Sequence, residues 1–369
     1  MREAGDTSIA IAGGRTGGHL FPAIAVAESL KRMKQQLRLY MIGTSDGMEA
    51  TIAPKAGLEF HSVSAIPLRR SLTLRNLAIP LVLARGVLQS MRLLKKKKTS
   101  AVFATGGFVC VPVLMAARIR RIRFYLQEQN SYPGLTTRLF ARKAEAVFAA
   151  YKDVGDYLHP DSNVIATGNP LRTAFKVARR EEGISYFDLD SDMKTLLIFG
   201  GSQGAEAINN YVAANLGRIK DAGDIQLVWQ TGTANCDKYK RLLESSGVDG
   251  NVQPFIDRMD LAYASADLVI SRAGAMTLAE LAATGKPAIL IPYPFAAENH
   301  QEYNADLVAR KGAAWMILQK DIEESDLLGK AIDLIKDDNL LSSLAEKAGR
   351  LHSAGAADAI ASKMLEGIS

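Results

Sequence analysis

Two glycine-rich turns, Gly13-Gly14-Arg15-Thr16-Gly17-Gly18-His19 and Gly200-Gly201-Ser202-Gln203-Gly204, lie one in each half of the chain. Each follows a short apolar run and opens a helical pattern. In that arrangement backbone N–H groups can approach an oxyanion, and the helix N-terminus adds partial positive charge. Only the first turn ends in a histidine, which brings a group able to take a proton near neutral pH to one of the two cradles. The pair implies two Rossmann-like halves facing across a cleft, one holding a nucleotide and the other an attacking group that His19 activates. Pro22 is expected in the first turn of the following helix, with Ile24, Val26, Ala27 and Leu30 at helical spacing behind it. His19 then sits at or just before the helix N-terminus, where the dipole keeps the imidazole neutral. A histidine in that place can also merely cap the helix, and the spacing alone leaves both readings open.

The elements that must position these turns are legible as a rhythm of apolar runs, turn residues and helical patterns, the signature of a parallel α/β fold. The runs fall at 8–12, 37–42, 101–105, 123–126 and 146–150, and again at 195–199, 226–230, 252–255, 267–270 and 288–291. They are expected to form two separate sheets. Thr167-Gly168-Asn169-Pro170 breaks the periodicity, and residues 179–193 are rich in charge and poor in pattern, so a hinge is expected near Gly168. The expected domains are 1–167 and 168–349. A helical C-terminal segment within 339–364 is expected to cross back, so that 350–369 braces the first domain.

At 369 residues and 48% hydrophobic, the chain is long enough for two cores. Its two cysteines, Cys110 and Cys236, lie in different halves without metal-ligand spacing, which argues against a disulfide framework or zinc site and for a reducing cytosol. The first residues, with Arg2, Glu3 and Asp6, lack the apolar core of a signal peptide. Residues 76–94 form the longest apolar stretch, but Arg85 and Arg92 interrupt it, so it is expected to lie on a membrane and not to cross it. The overall charge of +6 hides a sharper asymmetry: residues 60–127 hold 13 Lys and Arg and no Asp or Glu, leaving the rest of the chain at −7. Aliphatic residues are interleaved with these charges, as an anionic lipid surface requires. A solvated basic face is the plainer alternative. Nucleic acid fits less well, because aromatic residues for base stacking are sparse there.

Seven segments in order resemble the MurG family of N-acetylglucosaminyltransferases: residues 13–22, 104–112, Glu128-Gln129-Asn130 with Gly134-Leu135-Thr136, 168–172, 200–204, 255–257 and 271–280. The resemblance runs from Ile9 to about Gly312. It implies the GT-B glycosyltransferase architecture and transfer of N-acetylglucosamine from UDP-GlcNAc to the C4 hydroxyl of the N-acetylmuramyl unit of lipid I, with inversion and release of UDP. It further implies a peripheral enzyme on the cytoplasmic face of the cell membrane, with other cell-wall enzymes as partners. No cofactor is required by the sequence, although a divalent cation such as Mg²⁺ could accompany the acceptor diphosphate. The spacing Asp188-Leu189-Asp190 lies away from every matched segment and reads as solvated charge, so no protein-held metal is expected.

The resemblance assigns roles residue by residue. His19 is implied as general base, Arg172 as the partner of the leaving diphosphate, and Glu280 as the ribose-positioning carboxylate. Ala275, Met276, Thr277, Leu278 and Ala279 match the nucleotide-sugar segment; Ser202 matches a phosphate ligand, Ile256 a uracil-framing residue and Gln301 a sugar contact. Thr16, Gly17, Gly18 and Asn130 are implied to reach the donor from the first domain. Gly106, Gly107, Glu128 and Gln129 are implied to line the acceptor site. On residue chemistry alone, a turn at 272–275 with a helix beginning near Thr277 suits a diphosphate, yet Thr277 and Glu280 also fit a capping box. The chain departs from usual family residues at Arg15, Cys110-Val111, Gln127 and Glu206. Two alternatives stay open: a glycolipid synthase acting on diacylglycerol, and a membrane-docked nucleotide-binding scaffold without catalysis.

Overall fold

The computed structural model describes residues 7–66, 79–172, 175, 177–201, 204–296 and 299–368. The chain separates into two compact units, Met1–Arg172 with Ser353–Ser369, and Thr173–His352. In the first unit the strands are β1 (Ser8–Ala12), β2 (Arg38–Gly43), β3 (Glu59–Ser62), β4 (Ala101–Ala104), β5 (Arg123–Glu128), β6 (Ala146–Ala149) and β7 (Val164–Ala166). They form one parallel sheet in the order β3-β2-β1-β4-β5-β6-β7. Strand residues alternate between its two faces. Ile9 and Ile11 pack with α1 (Gly17–Met33), α2 (Glu49–Lys55) and the C-terminal helix, while Ala10 and Ala12 pack with α3 (Ile79–Lys96), α4 (Cys110–Ile119) and α5 (Leu135–Phe140).

The second unit repeats the plan. Its strands are β8 (Lys194–Phe199), β9 (Ile225–Gln230), β10 (Gly250–Gln253), β11 (Leu268–Ser271), β12 (Ala288–Leu290) and β13 (Trp315–Met316), all parallel in the order β10-β9-β8-β11-β12-β13. One face carries α7 (Glu206–Ala214), α8 (Leu216–Ala222), α9 (Cys236–Ser246) and α13 (Leu327–Lys336); the other carries α6 (Arg180–Phe187), α10 (Met259–Ser265), α11 (Ala275–Thr284) and α12 (His300–Arg310). Helix α14 (Asp338–Gly349) contributes to both, and α15 (Ala356–Ile368) returns to pack on α1 of the first unit. The C-terminal helical pattern is therefore two helices, broken at residues 350–355, where one belongs to each unit.

Both sheets reverse their strand order at one place, between β1 and β4 and between β8 and β11. In a parallel sheet all strands end at one edge, and a ligand crevice opens where neighbouring connections leave in opposite directions. The turns after β1, β4, β8 and β11 are the two glycine-rich turns, the Thr105-Gly106-Gly107 turn and the Arg272-Ala273-Gly274 turn. Topology thus selects the segments that residue chemistry selected.

Candidate active site

In the first unit the structure builds a site around His19. Helix α1 begins at Gly17 with Thr16 as its N-cap, so His19 is the third helical residue and Pro22 lies beyond the first turn. The helix starts earlier than the proline suggests because Gly17 and Gly18 continue directly from the turn. No acidic side chain stands in its first turn, and the Thr16 side chain makes no capping bond. The first N–H groups of such a helix have no intrahelical acceptor, as an anion site requires.

The imidazole is held from below. His19 Nδ1 lies 2.8 Å from the Thr105 carbonyl oxygen and 3.1 Å from Gln129 Oε1. Both partners are acceptors, so Nδ1 carries the proton and the neutral ring keeps its lone pair on Nε2. The Thr105 hydroxyl also donates to the His19 carbonyl at 2.7 Å. The ring lies against Gly106 and Gly107: a Cβ on Gly106 would stand 2.9 Å from His19 Cε1, and one on Gly107 3.4 Å from Cδ2. Those two glycines make room for the histidine ring.

Buried polar groups support the turns. Glu49, fully buried, accepts from Arg15 N at 2.6 Å, Thr44 N at 2.8 Å and the Thr44 hydroxyl at 3.1 Å. Its side chain fills the space beside Gly14, Gly43 and Gly47, where a Cβ would stand 2.2 Å from its Cδ, Cγ and Oε2 respectively. Arg15 takes a left-handed φ of 67° and lays its guanidinium over Phe108 at 5.3 Å. Cys110, at the start of α4, donates its thiol to the Gly106 carbonyl at 2.9 Å. Burial pushes its pKa up to about 12, so it remains a protonated structural donor.

Glu128 serves the turn it belongs to. Its carboxylate accepts from Asn130 N, Asn130 Nδ2, Gly134 N and Thr137 Oγ1 at 2.6–3.2 Å. The Arg172 guanidinium stacks over Phe21 at 4.9 Å, two residues along α1 from His19. Arg172 and Arg32 partly offset the burial that raises the Glu28 carboxyl.

Of the donor-side candidates, Thr16, Gly17, Gly18, Asn130 and Arg172 belong to the first unit and the others to the second. Gly201 and Gly204 take φ values of 94° and 77°, and Gly204 packs so closely on Thr231 that a Cβ would meet its carbonyl oxygen at 2.1 Å. Ser202 lies outside the described residues. Gln230, buried at the end of β9, ties this turn to the next: its Nε2 donates to the Gly201 carbonyl at 2.6 Å and its Oε1 accepts from Ile256 N at 3.2 Å. The Ile256 N–H is thereby engaged within the protein. Sequence reasoning missed Gln230; a lone amide ending the apolar strand Ile225–Gln230 was the available signal.

Helix α11 begins at Ala275 with Gly274 as N-cap. Thr277 is its third residue and Glu280 its sixth, so the capping-box alternative, which needs threonine at the cap and glutamate at the third position, does not apply. The helix starts two residues before Thr277 because Gly274 supplies the extended cap. Ala275, Met276 and Leu278 are buried, while Thr277, Ala279 and Glu280 are half-exposed. Tyr263, wholly buried, donates its hydroxyl to Glu280 Oε2 at 3.0 Å. Burial first, and then the Glu280 charge, hold that phenol well above its ordinary pKa, so it stays a donor. Gln301 Oε1 accepts from Tyr293 N at 3.0 Å, and Asn304, fully buried on α12, donates to the Ala273 carbonyl at 3.3 Å. Arg272, its pKa lowered by burial to about 10, donates to the Ile291 and Pro292 carbonyls and to Gln319 Oε1. It pins the turn from beneath.

Asp188 closes α6 at a left-handed φ of 54°, and Asp190 accepts from Asp192 N at 2.8 Å. Among the described residues no group of three or more His, Cys, Asp or Glu side chains gathers as a metal site.

Two parallel α/β units with glycine turns at their switch points define a nucleotide-sugar enzyme of the two-domain class. Residues 9–149 match the glycosyltransferase family 28 N-terminal domain, and residues 195–362 the family's C-terminal domain. A protein of Desulforudis audaxviator named "UDP-N-acetylglucosamine--N-acetylmuramyl-(pentapeptide) pyrophosphoryl-undecaprenol N-acetylglucosamine transferase" is 37% identical, over 95% of this chain and 96% of its own. A protein of the same name from Christiangramia forsetii is 42% identical over 86% of each chain. The crystal structure of Acinetobacter baumannii MurG is similar with a TM-score of 0.74 at 27% identity, covering 98% of this chain and 99% of that one. The chain belongs to glycosyltransferase family 28 and is a glycosyltransferase.

The Glu280 geometry sets a measurable expectation. If Glu280 serves the donor ribose, as the resemblance implies, Glu280→Gln keeps an acceptor for the Tyr263 hydroxyl but removes the charge offered to the ribose hydroxyls. A hydrogen bond to a charged group contributes about 1.5–3 kcal/mol, so the KM for UDP-GlcNAc should rise about 10- to 150-fold with little change in melting temperature. Steady-state kinetics with donor varied checks this; an unchanged donor KM removes Glu280 from the ribose site.

Proposed function

We propose that the enzyme transfers N-acetylglucosamine from UDP-GlcNAc, held by the second unit, to the C4 hydroxyl of the N-acetylmuramyl unit of lipid I, held by the first. The observation that carries this reading is the placement of two oxygen acceptors at His19 Nδ1, a geometry that favours the proton there and makes Nε2 the basic atom. Nε2 takes the proton of the C4 hydroxyl as that oxygen attacks C1 of the donor sugar. The C1–O bond to UDP breaks in the same step, and UDP leaves with its charge offset by Arg172 and the helix N-termini. A single displacement turns the α-linked donor into a β-linked product. A UDP-release assay with UDP-GlcNAc and a lipid I analogue tests the reading. Release that requires both supports it; release with diacylglycerol in place of lipid I transfers the activity to glycolipid synthesis, and no release with any acceptor sinks the enzyme reading.

The same proposal places the first unit on the cytoplasmic face of an anionic membrane. No helix among the described residues is long and apolar enough to cross one. Helices α3, α4 and α5 share one face of the sheet. Leu81 and Leu88 on α3, Ile119 on α4, and Leu135 and Leu139 on α5 are exposed beside exposed Arg85, Arg92, Lys95 and Lys96. Lys97 instead pairs with Glu59 at 2.6 Å, and Arg69, Arg70 and Arg75 lie outside the described residues. Each basic side chain near an anionic surface is worth about 1 kcal/mol, so Gln at Arg85, Arg92, Lys95 and Lys96 together should weaken vesicle binding about 10²- to 10³-fold at low salt. Turnover of a soluble acceptor analogue should be spared. Unchanged sedimentation with phosphatidylglycerol vesicles excludes this face.

A further inference from the structure

Behind His19 lies a chain of three buried amides to which neither the resemblance nor the fold assigns a joint role. Gln127, Gln129 and Asn169 are 1%, 2% and 9% exposed. Gln129 Oε1 faces His19 Nδ1 at 3.1 Å, and its Nε2 donates to the Thr105 carbonyl at 2.6 Å, the Gln127 carbonyl at 3.3 Å and Gln127 Oε1. Gln127 Nε2 donates to Asn169 Oδ1 at 2.9 Å, and Asn169 Nδ2 donates to the Gln129 carbonyl at 3.1 Å.

The direction of this chain is fixed at both ends. An amide can flip to exchange oxygen and nitrogen, but a backbone carbonyl can only accept. The Gln129 carbonyl requires Asn169 to present its NH₂, so Asn169 presents oxygen to Gln127. Gln127 in turn presents oxygen to Gln129, whose NH₂ the Thr105 carbonyl also demands. Gln129 is left with oxygen toward His19. A flip of any one amide sets oxygen against oxygen or NH₂ against NH₂ in a buried place, where an unmade hydrogen bond is costly. A flipped Gln129 would present NH₂ to Nδ1 in opposition to the Thr105 carbonyl, which weakens the hold on the tautomer that leaves Nε2 basic.

We propose that Gln129, Gln127 and Asn169 are positioning residues that hold His19 in the Nδ1–H tautomer, with Gln129 acting on the histidine and the other two on Gln129. The inference rests on the reading of His19 as general base. It gives Gln129 a part different from acceptor contact. It also explains how Gln127 is accommodated where the family often has histidine: its two amide groups satisfy one neighbour each. The three residues act without charge, orienting the ring through dipoles alone.

Imidazole ¹⁵N NMR of the full-length protein tests this without substrate, the His19 signals being assigned by their loss in His19→Ala. The wild-type ring should show a protonated Nδ1 and an unprotonated Nε2. Gln129→Met removes one of two acceptors at Nδ1. The Nε2–H tautomer should grow about 2- to 13-fold, the worth of one neutral hydrogen bond. The kcat should fall in proportion to the Nδ1–H fraction that is lost, with donor KM unchanged. Asn169→Ala acts on the ring through Gln127 and Gln129, and should move the same two signals in the same direction. It also serves if Gln129→Met does not fold. Unchanged ring signals in a folded Gln129→Met, or a response to Gln129→Met with none to Asn169→Ala, overturns the chain. Near-normal turnover in His19→Ala would instead count against the base, since the tautomer is read with no acceptor present.

Discussion

Replacing His19 by alanine should leave UDP-GlcNAc binding within about twofold of wild type while turnover falls about 10²- to 10⁴-fold, the range a positioned general base contributes. The donor-side candidates Gln230, Glu280 and Gln301 draw their hydrogen-bond partners from the second unit, so the substitution does not touch them. Within the first unit it removes a ring that meets the Thr105 carbonyl and Gln129. The Gln129 NH₂ keeps the Thr105 carbonyl paired, so the buried framework survives. Helix α1 should persist as well, since alanine is the best helix former. Donor affinity by calorimetry and kcat with a lipid I analogue check the two halves of the expectation. A turnover within tenfold of wild type would pass the base role to another group.

Gly106→Ala should reduce kcat by about 10²-fold for a different reason. The added methyl would lie 2.9 Å from His19 Cε1 and 3.0 Å from Nδ1, so the ring must move away. Its most direct route breaks the 2.8 Å bond to Thr105, and a displacement near 1 Å at a reacting group can cost about 10²-fold. The backbone at Gly106 has a φ of 104°, which adds about 1–3 kcal/mol of strain for any other residue. Melting temperature and kcat should therefore both fall. Gly57→Ala is the control, because its φ of 72° has a related cost while no atom lies within 4 Å of the new methyl. It should lose stability and keep its rate. Equal losses of rate in the two variants would show that Gly106 matters only to the fold.

The sequence disclosed most where local pattern and global role coincide. Ten strands overlap short apolar runs and could be read directly. Strands β3, β7 and β13 could not. Glu59–Ser62 and Val164–Ala166 are partly exposed at the edges of their sheet, and Trp315–Met316 is two residues long, so none carries a continuous apolar signal. Helix starts moved by two residues at Gly17 and Ala275 because glycine turns run into helices without a side-chain cap. Candidate site residues were legible as types in motifs, but the partners that orient them were not. Thr105, Gln129 and His19 meet because β1, β4 and β5 lie side by side, which joins residues 86 and 110 positions apart in sequence. Gln230 and Tyr263 act on Ile256 and Glu280 from other strands or helices, and no local spacing announces that.

Glu49 has a consequence for how this chain can change. Its carboxylate occupies the volume that a side chain at Gly14, Gly43 or Gly47 would need, and it accepts the N–H of Arg15 that the turn presents to it. A methyl at any of the three glycines collides with the glutamate; a shorter residue at 49 clears the collision but strands two buried N–H groups. Four positions spread over 36 residues therefore form one mutational unit, in which each accepted substitution presupposes another. Saturation libraries that vary one of the four at a time should return almost only the parental residue. Simultaneous variation of all four is the route by which a differently shaped first turn, and with it a different acceptor, becomes reachable.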